Sequence, residues 1–238
     1  MEREEISRML AQDFSFRQMT MRLSSETIYT YIYILPRGTL KKELISCLRQ
    51  NRKRRYRHTR GAKPVRNLED MLSIEERPQS LEDRIIPGHW EGDLIVGKYN
   101  RSALGTLVER TTRTTILVPL KNRNAYDLAK AFAKEVIKLP QQMKLSLTYD
   151  QGREMAEHKL FTHITGMKVY FAHPRSPWER GTNENTNGLV RQYFPKGTDF
   201  NNVSRYQIKK VQNLLNGRPR KVLNFQKPYE VFNQLINQ

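Results

Sequence analysis

The chain has 238 residues, 37% of them hydrophobic, and a formal net charge of +18. That length allows one substantial core plus a smaller module, and the charge excess points to a polyanionic partner, nucleic acid first. One cysteine, Cys47, excludes a disulfide framework and a cysteine-rich zinc site, and no apolar run is long enough for a membrane-spanning helix.

The opening residues, "MEREEISRML", are acidic and polar, unlike a signal peptide, so a cytoplasmic location is expected. Two short helical patterns follow. Residues 4–12 place Ile6, Met9 and Leu10 on one face, and "LSSETIYTYIY" offers Ser24 or Ser25 as an N-cap with Ile28, Tyr31 and Ile32 at helical spacing. The pair has the form of a helix-turn-helix, with Thr27 and Thr30 on the outer face of the second helix. A further amphipathic helix is expected from Leu40. Between Lys41 and Arg66 stand eleven Lys/Arg against one acid, Glu43. This run cannot be buried and reads as a linker that tracks phosphates, through Arg52, Lys53, Arg54, Arg55 and Arg57.

After residue 85 the periodicity changes. "GHWEGDLIVG", "SALGTLVER" and "TTILVPL" read as strands, the last two joined by a turn at residues 111–114. "NAYDLAKAFAKEVIKLP" predicts a helix with Ala129, Phe132, Ala133 and Val136 on its apolar face. "KLSLTYD" predicts a strand tipped by Asp150, "HKLFTHIT" a helix and "KVYFA" a strand. Helices are expected near residues 183–194 and 204–216. The order predicts an α/β domain with a mixed sheet over 85–238, after a helix-turn-helix-like segment (1–50) and a basic linker (51–84).

Three carboxylates are candidates for chemistry. Asp93 lies inside an apolar strand, where aspartate is disfavoured; it could also cap a turn or face solvent at an edge. Asp150 ends a strand, the position from which α/β sheets address ligands, or serves as a turn residue before Gly152. In "SPWERGTNENTNG", Gly181 and Thr182-Asn183 can start a helix with Glu184 in its first turn, where the helix dipole alone also favours an acid. Glu179 competes with it from the preceding loop. A trio of acids could hold two divalent metals for phosphoryl transfer, with magnesium suited to such oxygen ligands. His89 and His173 are poor candidates for that site because magnesium prefers oxygen.

At "HWEGDLIVG", "LTYDQGREM" and "SPWERGTNENTNGLVRQYFPKGTDF" the chain resembles the DDE transposases, whose retroviral-integrase-like core is ribonuclease-H-like, and most closely those of the "insertion sequence thirty" family. Asp93 and Asp150 are 57 positions apart, and 33 residues separate Asp150 from Glu184, as in that family. "RPRKVLNFQKPYEVF" is similar to the family's closing segment. The resemblance implies Asp93, Asp150 and Glu184 as catalytic, metal-binding residues. It implies two Mg²⁺ ions, with Mn²⁺ able to substitute, DNA cleavage at element ends, and strand transfer into target DNA by a homo-oligomer assembled on DNA. The resemblance implies a longer N-terminal region in family members, so this chain is expected to begin inside the later of its helix-turn-helix modules. A second reading is therefore a truncated, non-catalytic DNA-binding protein. Asn187 and Arg191, three and seven residues after Glu184, share its helical face and are candidate DNA contacts, as are Arg180 and Lys196. Trp178 reads as a loop anchor. The three acids' side-chain oxygens are expected to converge within roughly 4–8 Å.

Overall fold

A computed structural model describes residues 8–9, 38–39, 70–78, 84–120, 122, 124–174 and 176–237. The expectations for the helix-turn-helix, and for Arg52, Lys53, Arg54, Arg55 and Arg57, lie outside the described residues. The chain divides into two compact units, Met1–Lys63 with Arg218–Lys227, and Pro64–Gly217 with Pro228–Gln238. In the first, Lys221–Leu223 form a 3-10 turn that Asn224 and Phe225 close in the left-handed region.

The second unit is built on a six-stranded sheet. Its strands are β1 (Leu72–Ser73), β2 (His89–Val96), β3 (Ala103–Glu109), β4 (Thr115–Pro119), β5 (Ser146–Tyr149) and β6 (Lys168–Phe171), in the order β1-β6-β5-β2-β3-β4. β2, β3 and β4 form an antiparallel meander, while β5, β6 and β1 continue from β2 in parallel. Apart from the two-residue β1, this is the mixed sheet of a ribonuclease-H-like fold. β1 falls in the segment read as linker and pairs with the end of β6. The helices are α1 (Ala125–Val136), α2 (His158–Thr165), α3 (Gly181–Tyr193), α4 (Arg205–Asn216) and α5 (Pro228–Ile236). β2 to β6 and α1 to α4 match the periodicities in the sequence; β1 and α5 do not, although "PYEVFNQLI" opens with a proline suited to a first helical turn. No helix among the described residues is long and apolar enough to cross a membrane.

Alternation along the strands sorts side chains to two faces. Trp90 and Leu94 of β2, Leu107 of β3 and Leu147 and Tyr149 of β5 join a core with Leu128, Ala129, Phe132, Ala133 and Val136 of α1. Asn124 caps α1 by accepting from the Asp127 N–H at 2.7 Å. The opposite face carries Ile95 and Leu104, which pack with Leu189 and Val190 of α3 and Ile208, Val211 and Leu215 of α4. Glu91 and Asp93 lie on this α3 side by the same alternation. α4 starts with a capping box between Ser204 and Gln207.

Gly105 lets α1 approach the sheet closely: a Cβ there would lie 2.3 Å from the Phe132 ring. Gly105→Ala is expected to destabilise the domain by roughly 1–3 kcal/mol through overpacking, read from urea unfolding midpoints. Adding Phe132→Leu should recover part of the loss; no loss with alanine alone would refute this close packing.

Candidate active site

Register brings the two aspartates together. β2 and β5 run parallel with His89 opposite Ser146 and Glu91 opposite Thr148. Continuing two residues places Asp93 opposite Asp150, on strands about 4.8 Å apart, and alternation sends both side chains to the α3 face. Each carboxylate is oriented by local donors. Asp93 accepts from its neighbour's Leu94 N–H at Oδ1 (2.8 Å) and from the Asn187 amide at Oδ2 (2.8 Å). Asp150 accepts from the Gly152 N–H at Oδ1 (3.1 Å).

Arg180, the last residue of the 3-10 turn Pro177–Arg180 that leads into α3, lies between them. Its Nη2 donates to Asp150 Oδ2 at 3.2 Å, and its Nη1 donates to the Gly92 carbonyl at 3.2 Å and stands 3.7 Å from Asp93 Oδ1. The side chain is 10% exposed, and its Nε is buried without a partner.

The start of α3 is held by Glu91. This carboxylate is fully buried; one oxygen takes the Arg110 guanidinium at 3.1 Å and the other accepts from the Asn183 N–H at 2.9 Å. It answers one of the free donors in the first turn of the helix. Arg113 adds a bond to the Thr182 hydroxyl at 2.6 Å. Further along α3, the Thr106 hydroxyl lies 3.0 Å from Asn183 Oδ1 and 2.9 Å from Asn187 Oδ1, so β3 fixes the amide that holds Asp93.

The electrostatics follow from burial. Desolvation pushes the Asp93 carboxyl up to about 6, with Asp150 and Glu154 adding to the rise, while Arg180 and the Leu94 N–H oppose it. Tyr149 is buried with its hydroxyl unpartnered. Burial raises its phenol well above the ordinary value, and the charges of Asp93, Asp150 and Glu154 reinforce the rise. Its ring covers Gly92, where a Cβ would lie 2.8 Å away. Glu154, which the sequence reading did not single out, shares the Gly152 turn with Asp150: a Cβ on that glycine would meet Glu154 Oε2 at 2.5 Å and Asp150 Oδ1 at 2.8 Å.

The structure thus assembles Asp93, Asp150, Arg180 and Asn187. Glu184 stands exposed in the first turn of α3, four residues after Arg180. Among the described residues, no three His, Cys, Asp or Glu side chains form a group arranged to hold a metal ion. Glu179 anchors its loop by accepting from the His173 N–H at 2.7 Å and facing His173 Nδ1 at 2.8 Å. Arg191 turns to the carbonyls of Val96 (2.7 Å) and Pro195 (3.3 Å), tying the end of β2 to the end of α3. Lys196 is exposed, and Trp178 is 73% exposed rather than an anchored loop side chain. His89 faces Ser146 Oγ at 2.7 Å, and burial lowers its pKa to about 4. Glu91 and the bridging role of Arg180 escaped the sequence reading; a glutamate two residues before Asp93, hence on the same strand face, was the available signal.

The donor chemistry of the aspartate pair fits a divalent cation. Both are hard oxygen donors, aimed to one side, and a cationic guanidinium already sits between them.

An integrase core domain family matches residues 84–177. The chain is 47% identical over 233 residues to the transposase for insertion sequence element IS1086 of Cupriavidus metallidurans, covering 98% of this chain and 68% of that protein. It is 44% identical over 218 residues to the transposase InsI for insertion sequence element IS30A of Escherichia coli, covering 90% of this chain and 57% of that one. A crystal structure of the BIV integrase catalytic core domain superposes with a TM-score of 0.48 at 15% identity, over 63% of this chain and 96% of that one.

Two outcomes are expected. Asp93 binds its proton more tightly folded than unfolded, so its contribution to stability is fully present below about pH 4 and is lost as pH rises through about 6. Urea unfolding of the protein and of Asp93→Asn at pH 4 to 7 should therefore show the native protein losing about 2–3 kcal/mol relative to the variant across that window; parallel profiles would contradict the burial. Glu91→Ala should cost roughly 3–5 kcal/mol, because it strands a buried arginine and opens the start of α3. A change within experimental error would show that the buried pair does not hold that helix.

Proposed function

The chain belongs to the IS30 family of insertion-sequence transposases and carries an integrase core domain; from that premise we propose that it is a metal-dependent polynucleotidyl transferase which cuts DNA at the ends of its element and joins them to target DNA. The observation that carries the reading is the Asp93–Asp150 pair, carboxylates within β2 and at the tip of the neighbouring β5 with a cation between them. The non-catalytic DNA-binding reading is not favoured, since both strand aspartates and their orienting partners are present.

Divalent ions serve this family of strand-transferring enzymes generally. Asp93 and Asp150 would hold them, with Glu184 as the third ligand from the first turn of α3, and we favour Mg²⁺, with Mn²⁺ able to replace it. When bound, such ions neutralise the scissile phosphate and make water or a 3′-hydroxyl a competent nucleophile. The chain's own residues prepare the rest. Asn187 and the Leu94 N–H fix both oxygens of Asp93 in one orientation, and Thr106 fixes Asn187. The Gly152 N–H fixes Asp150. Glu91 holds the first turn of α3, from which Glu184 projects. In the chemistry, a water oxygen attacks the phosphorus at the element end and the 3′-oxygen leaves as a hydroxyl. That hydroxyl then attacks a target phosphate, whose own 3′-oxygen leaves.

Positive charge would hold the DNA. The basic segment with Arg52, Lys53, Arg54, Arg55 and Arg57 would follow phosphates, and exposed Lys196 would meet the backbone near α3. Two ends and a target must meet, so a homo-oligomer on DNA is part of the proposal.

The test is cleavage and joining of labelled duplexes carrying the element's ends, with Mg²⁺ or Mn²⁺. Asp150→Asn and Glu184→Gln should each lower the rate at least about 100-fold, the scale of losing one group that stabilises the transition state. Equal rates in all three proteins would reject the assignment. DNA binding without cleavage by the unaltered chain would favour the non-catalytic role.

A further inference from the structure

Arg180 was expected to contact DNA, yet it is one of the most enclosed cations of the described residues. Its guanidinium joins both site aspartates and the Gly92 carbonyl. Two carboxylates brought together by β-sheet register repel each other, the more so when partly desolvated. A shared guanidinium offsets that repulsion, and its planar fork can reach two acceptors at once. The fit is incomplete, however: Nε is buried with no partner. A donor left unsatisfied in this pose makes the pose costly to keep.

Resting on the metal-dependent reading above, we propose that Arg180 is the protein's own counter-cation for Asp93 and Asp150, and that it gives up its place to a divalent ion and thereby sets the affinity of the site for metal. A guanidinium and a divalent ion cannot both lie between the same carboxylate oxygens. Metal binding therefore has to break the Arg180 bridge, and the strength of that bridge subtracts from metal affinity. Arg180 also directly precedes Gly181, the first residue of α3, and Glu184 follows within one turn. Release of the guanidinium consequently acts on the segment that carries the third acid. Once released, the side chain becomes a bidentate donor of the kind that suits phosphate. Contact with DNA through Arg180 would then follow metal loading rather than precede it. Trp178, two residues upstream and 73% exposed, sits on the same 3-10 turn and reports on it; the other tryptophan, Trp90, is fully buried.

The experiment titrates Mn²⁺ alone into the full chain and into Arg180→Gln, Arg180→Lys and Asp150→Asn, by calorimetry and by tryptophan emission, and records thermal unfolding with and without the ion. Arg180→Gln should bind Mn²⁺ roughly tenfold tighter, the factor expected from removing one partly desolvated competing charge. It should melt lower than the unaltered protein without metal and recover when Mn²⁺ is added. Arg180→Lys, which keeps the charge but reaches fewer acceptors, should fall between the two. Mn²⁺ should shift Trp178 emission in the unaltered chain and less in Arg180→Gln. A residue that served the fold alone would lower stability without tightening metal binding. If Arg180→Gln does not fold, the affinity and emission of Arg180→Lys decide. Unchanged or weaker affinity in both arginine variants, with Asp150→Asn losing the ion, overturns the role of Arg180 and leaves the metal site standing. Binding by Asp150→Asn equal to that of the unaltered chain overturns the metal site, and the inference with it.

Discussion

Glu91 has no exposure to solvent, and its carboxylate is charge-paired to Arg110 while it accepts the Asn183 N–H. That arrangement joins a central strand, the turn after β3 and the first turn of α3 at one point. A buried carboxylate stripped of either partner would be costly, so these three elements are held to one relative position. α3 carries both Asn187, which orients Asp93, and Glu184. The geometry around the aspartates therefore depends on a residue that touches neither of them.

Around that fixed point the site is a problem of charge compensation. Sheet register sets Asp93 beside Asp150, and the Gly152 turn adds Glu154 nearby. Burial raises the cost of the Asp93 charge, and the upward push on its carboxyl expresses it. Arg180 supplies the local positive charge. Tyr149 packs its ring under Gly92 from the α1 side of the sheet, the face opposite the two aspartates. An acidic centre in a chain of net charge +18 divides the labour: the wider positive charge suits a polyanion, and the clustered carboxylates suit cations.

Much of the scaffold was legible from local pattern. The alternation in "HWEGDLIV" and the apolar spacing in "AYDLAKAFAKEV" predicted β2 and α1, and the buried face of α1 includes Ala129, Phe132, Ala133 and Val136 as expected. Other features were not. α5 lacks a strong capping signal, and β1 is too short to show a period. Trp178 reads as a loop anchor in the sequence, yet it is 73% exposed. Arg191 was placed on the face of Glu184 by helical spacing, but its long side chain reaches backbone carbonyls at the ends of β2 and α3 instead.

Residue types and their spacing along the chain were enough to nominate Asp93, Asp150 and Glu184, to predict a mixed α/β sheet, and to point to nucleic acid. Those properties depend on alternation, helical period and net charge, which act over a few residues or over the whole composition. The partners of the acids depended on folding in three dimensions. Arg180 meets the Gly92 carbonyl across 88 positions, and Asn187 meets Asp93 across 94. Such contacts are set by strand order and by which face each strand turns to α3, and no periodicity along the chain encodes which of 42 Lys/Arg side chains will end between two aspartates.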